Sequence, residues 1–209
     1  MKSVGKSRTR LVPWFQDIVE CPDKEHFVRS ITSSAVLSAN GDQLLTVKAL
    51  LTAPAKSFSI FRVFIHRCAN GAQGSCEYFT TWTWDVGVCA LLRANGTVWA
   101  PLVRSIVPKF ACPVKSGAYS ANNASLDFEA VEKTTRGLQA EKYTWRIEFQ
   151  LFDELRAMFM CVQLLAKVNR VKLRNDAELK HAELQPNRSA MRGPRPGRTA
   201  FMITVNSCA

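Results

Sequence analysis

Tyr143-Thr144-Trp145-Arg146-Ile147-Glu148-Phe149-Gln150-Leu151 carries an apolar side chain at every odd position and a polar one at every even position. Successive side chains of a strand point to opposite faces, so this segment reads as a strand with one buried face and one wet face. A helix would scatter the five apolar groups around its circumference. The same period recurs on the N-terminal side. In 43–51, Leu45, Val47, Ala49 and Leu51 oppose Thr46 and Lys48, and in 78–86, Tyr78, Trp82, Trp84 and Val86 oppose Thr81, Thr83 and Asp85. Phe58–Ile65 and Met158–Val168 are apolar on both faces and read as more deeply buried strands, with 16–21 and 30–38 as weaker ones. Turn signals separate them: Asn40-Gly41-Asp42, Pro54, Asn70-Gly71 through Gly74, Asn95-Gly96 and Ser116-Gly117. Asn40-Gly41 between two such runs predicts a hairpin. Residues 126–133 suit either a helical turn or a loop. Strands at this spacing, without alternating helices, predict an all-β antiparallel sandwich rather than a βαβ fold.

The chain has 209 residues, of which 47% are hydrophobic and 22% charged, with 12 Phe and 5 Trp, enough apolar mass for a core and too much for global disorder. Its net charge of +11 invites a nucleic-acid partner, but the charge sits at the ends. Residues 1–10 hold +4 and residues 170–209 hold +5, leaving +2 for the rest. No specific nucleic-acid binding is therefore expected. Three regions follow: a basic extension over 1–13, the sandwich over 14–168, and a disordered basic tail over 169–209 broken by Pro186, Gly193, Pro194, Pro196 and Gly197. Phe201–Val205 is briefly strand-like within that tail.

Seven cysteines are many for this length: Cys21, Cys68, Cys76, Cys89, Cys112, Cys161 and Cys208. None forms a CxxC and no His pair has metal-ligand spacing, so a zinc site is not expected. The six before the tail suit three disulfides in an oxidising compartment. Three glycosylation sequons point the same way, at Asn95 and Asn123 in the sandwich and at Asn187 in the tail. Residues 1–15 contain bases but no apolar run of signal-peptide length, so either the true start lies upstream or the protein stays inside the cell. No stretch approaches transmembrane length. His26, His66 and His181 are scattered, and no nucleophile elbow, P-loop, HExxH or GxGxxG occurs, so no enzymatic activity and no cofactor are expected.

The stretch from Cys89 to Cys161 resembles the ML family of lipid-recognition domains, particularly its insect members. The resemblance rests on Asp85 to Cys89 at a strand end, on Cys112-Pro113-Val114-Lys115-Ser116-Gly117-Ala118-Tyr119, on Asn122-Asn123, and on the alternating Tyr143 strand followed by Cys161. It spans roughly residues 14–168, and Cys-Pro-x-x-x-Gly-x-Tyr is its most specific part. The chain departs from the pattern in lacking a Pro before the penultimate strand and a Gly just ahead of Tyr143. The resemblance implies an immunoglobulin-like sandwich of two antiparallel sheets, splayed so that a lipid or other apolar small molecule enters between them, in a carrier, presenter or chemosensory binding protein. It also implies Cys89–Cys112 and Cys21–Cys161 bridges, which leave Cys68 for Cys76 across the turn-like Ala69–Ser75. Six cysteines alone permit 15 connectivities. By alternation, Tyr78, Trp82, Trp84, Tyr143, Trp145 and Phe149 face inward and are the candidate ligand-binding residues. The plainer reading makes them ordinary core, with a closed sandwich that contacts a receptor protein.

Overall fold

The computed structural model describes residues 9–38, 41–69, 73–127 and 139–172. All belong to one compact unit, Met1–Leu173. The expected antiparallel sandwich is present. Nine strands follow in chain order: β1 Thr9–Glu20, β2 Val28–Leu37, β3 Gln43–Leu51, β4 Phe58–Cys68, β5 Cys76–Trp84, β6 Ile106–Val107, β7 Gly117–Ala124, β8 Thr144–Asp153 and β9 Met158–Lys172. Two short helices, α1 Val88–Arg93 and α2 Ala100–Ser105, lie between β5 and β6. One sheet has the order β1-β9-β8-β4-β5 and the other β2-β3-β7-β6. The expected hairpin joins β2 to β3, with Leu37 opposite Gln43 and Gly41 at φ 79°, where a side chain would be strained. Asn40 lies outside the described residues, as do Asn70 and Gly71, residues 128–133 of the 126–133 segment, His181, Asn187, 201–205 and Cys208.

Both expected boundaries shift outward. β1 pairs with β9 from Thr9 opposite Lys172 through Glu20 opposite Val162, so 9–13 and 169–172 belong to the sheet. Charge concealed them. Arg10 is paired with Asp42 and Arg170 with Glu141 at 3.3 Å, while Leu11, Val12 and Val168 between them are buried. Residues 1–8 and 173–209, on which the remainder of the basic extension and disordered tail falls, lie outside the described residues.

All three bridges form: Cys21–Cys161, Cys68–Cys76 and Cys89–Cys112. The first ties the chain after β1 to β9, where the Cys21 N–H also donates to the Cys161 carbonyl at 3.2 Å. The second links directly opposed residues of β4 and β5. The third closes the segment that holds α1 and α2. Along β8, Trp145, Ile147, Phe149 and Leu151 turn toward the facing sheet, as the alternation requires, with Leu151 fully buried. The buried residues do not form one mass. A larger group gathers around Phe58, Phe61, Leu151 and Phe159. A smaller one comprises Phe15, Leu45, Ala121, Ala124, Leu164 and Ala166.

Candidate functional site

An apolar cavity of about 230 Å³ lies between the sheets, walled by residues of both core groups. Its five-stranded wall is supplied by Phe15, Ile18, Phe61, Phe149, Met160, Val162 and Leu164, and its four-stranded wall includes Ile31, Leu45, Val47, Ala49, Tyr119 and Ala121. The third wall is not a sheet. Leu92 of α1, Val98, Trp99, and Leu102 and Val103 of α2 form it, and the space stays partly open to solvent. Sequence reasoning missed these residues.

Local irregularities decide which side chains arrive. In β1 the register shifts between Phe15 and Asp17, so Gln16 has no partner in β9. The extra residue restores phase three positions on, and both Phe15 and Ile18 line the cavity. The bulge is held from the opposite sheet: the buried Gln43 amide accepts from the Phe15 N–H and donates to the Phe15 carbonyl, the latter at 3.3 Å.

The six expected ligand-binding aromatics separate. Phe149 lines the cavity. Trp84 stands behind the wall, with its ring 5.4 Å from Phe61 and 5.7 Å from Trp99, both of which line it. Trp145 is buried in the larger core group, where Nε1 donates to the Ala140 carbonyl at 2.9 Å, and Tyr143 packs against it. Tyr78 requires correction. β4 and β5 slip register between Ile65 and His66, so Phe79 has no partner in β4 and Tyr78 pairs with the outward-facing His66. Phe79 instead meets Trp145, and Tyr78 is 63% exposed. Trp82 pairs with the buried Val63, but β5 is the sheet's edge and the indole remains 41% exposed. Neither Tyr78 nor Trp82 touches the cavity. Alternation identified a face; it could not register a bulge or locate the sheet's margin.

The cavity surface is almost wholly carbon. Tyr119 presents its ring, and its hydroxyl is engaged by the Lys115 carbonyl at 2.9 Å. Among the described residues, no His, Cys, Asp, Glu, Lys or Arg lines the space. Titratable groups gather instead on the outer face of the five-stranded sheet. Burial pushes the Glu148 carboxyl up, but hydrogen bonds from Lys24 and Gln150, the Lys24 charge and a further bond from Gln163 outweigh this and hold it below the usual range. Burial, then the neighbouring Arg146 charge, lower His66, against an opposing pull from Glu148. Cys21 and Cys161 approach Glu148 closely, but their sulfurs are bonded to each other.

Asn95 and Asn123 are both exposed, Asn95 in the loop between α1 and α2 and Asn123 in β7 at φ 50°. No described helix is long and apolar enough to cross a membrane. No protein-family profile and no curated protein matches the sequence.

Proposed function

We propose that this protein is a non-enzymatic carrier or presenter that holds a lipid or other apolar small molecule between its two sheets. The observation that carries the reading is the 230 Å³ cavity with its carbon lining. Protein interiors pack as densely as organic crystals, and voids beyond the size of a water molecule are few. At about 24 cal/mol per Å³, the figure for sealed cavities, a gap of this size forgoes at most about 5 kcal/mol relative to a filled core. Net stabilities of domains are only about 5–15 kcal/mol, so retaining such a space is a large concession. Water is a poor occupant of an apolar cavity, while burial of an apolar molecule returns about 25 cal/mol for each Å² removed from water.

The lining supports binding rather than catalysis, because its described residues include no His, Cys, Asp, Glu, Lys or Arg and the hydroxyls of Tyr119 and Ser120 contribute almost nothing to its surface. The ML resemblance supports the same reading. Three disulfides fit an extracellular protein, and exposed sequons at Asn95 and Asn123 suit a secreted glycoprotein.

Organic extraction of the purified protein, followed by mass spectrometry, should release an apolar ligand. The stripped protein should then take up a fluorescent fatty acid. Failure of fatty acids, sterols and glycolipids alike to bind would sink the reading.

A further inference from the structure

We propose that the cavity gauges tail length: it admits the end of one unbranched aliphatic chain, about nine carbons long, and leaves the polar head outside. This rests on the ligand-binding reading above and narrows the ligand class within it. Two observations carry it, namely capacity and the absence of polar atoms at the surface.

Capacity comes first. An apolar protein cavity of about 150 Å³ holds benzene, with its six carbons. The same filling gives about nine carbons for 230 Å³. The ring system of a sterol has roughly twice that number, and a second acyl chain exceeds the space likewise. Large rings bound the space on one side, where Phe61 stacks on Phe149 at 6.4 Å and meets the edge of Trp99 at 5.3 Å. Room is left where side chains are small, at Ala49 and Ala121.

The surface chemistry places the head. A hydroxyl, carboxyl or ester drawn into this space would surrender its hydrogen bonds to water and meet a surface that exposes almost no polar atom, since the unpartnered Trp99 Nε1 is itself covered. Each methylene that enters gains, by contrast, until the cavity is full. Affinity should therefore depend on chain length and change slope where the cavity ends.

The test is displacement of a bound fluorescent fatty acid by a series of straight-chain primary alcohols from hexanol to hexadecanol, with cholesterol and palmitate alongside. Affinity should rise about fourfold per methylene up to about nine carbons and then level off. Cholesterol should compete less well than nonanol. Ala49→Leu adds about three carbons to the wall and should move the break about three carbons shorter. A rise continuing to hexadecanol, no dependence on chain length, cholesterol competing as well as nonanol, or a break unmoved by Ala49→Leu would each overturn the length gauge while leaving apolar binding intact. Failure of the fluorescent fatty acid itself to bind, with no other compound binding in its place, would overturn both readings, and the wild-type series decides the matter even if the variant does not fold.

Discussion

Glu148 on β8 receives hydrogen bonds from Lys24, Gln150 and Gln163, and so pins the chain after β1 onto the outer face of the sheet. A carboxyl held below its usual 4.5 in the folded state binds protons more readily once unfolded. Its stabilisation is complete above that usual value and is lost as pH falls through the lower folded one. Glu141 and Glu154 are also lowered, chiefly by their backbone hydrogen bonds, and titrate in the same direction. Denaturant unfolding from about pH 6 to pH 3 should accordingly show an acid limb that Glu148→Gln makes shallower without removing. On the inner face, Phe149→Ala should weaken fatty-acid binding at least several-fold by removing a cavity wall, while Tyr78→Ala and Trp82→Ala leave it unchanged. Fluorescence titration reads all three. Sequence identified Phe149 because its strand runs without interruption. It misplaced Tyr78 because an unpaired Phe79 changes phase, and no side-chain pattern announces that slip.

The strands themselves were legible because a sheet with one face buried stamps a period of two on its residues, and 43–51 and 143–151 carry it cleanly. The helices α1 and α2 were not. Each has six residues, less than two turns, too few for a 3.6-residue period to emerge. The cavity's third wall was hidden with them, since it consists of segments recognisable only once Cys89–Cys112 has folded them against the sheets. Gln43 is a further case: a lone polar side chain at a strand start reads as solvated, yet it is buried between β1 and β3. Gln43→Leu leaves the Phe15 N–H buried without an acceptor and should destabilise the protein by about 1–3 kcal/mol in urea unfolding. It should also disturb the bulge that sends both Phe15 and Ile18 to the cavity.

At the level of the molecule, the bridges differ most in the length of chain they close: 140 residues for Cys21–Cys161, 23 for Cys89–Cys112 and 8 for Cys68–Cys76. In the chain-entropy account, stabilisation grows with the logarithm of that length, giving about 5 kcal/mol for the longest and about 2.5 for the shortest. Replacing both cysteines of a pair by serine should reproduce this order in denaturant midpoints. An order independent of loop length would show that the bridges act on the native state instead. The division of labour between sheets and loop has one more consequence. The hydrogen-bonded ladders hold the protein together, whereas Val98, Trp99, Leu102 and Val103 border the space without belonging to any ladder. Substitutions at these four positions can reshape what the molecule accepts while sparing the framework, so ligand preference is free to diverge faster than stability.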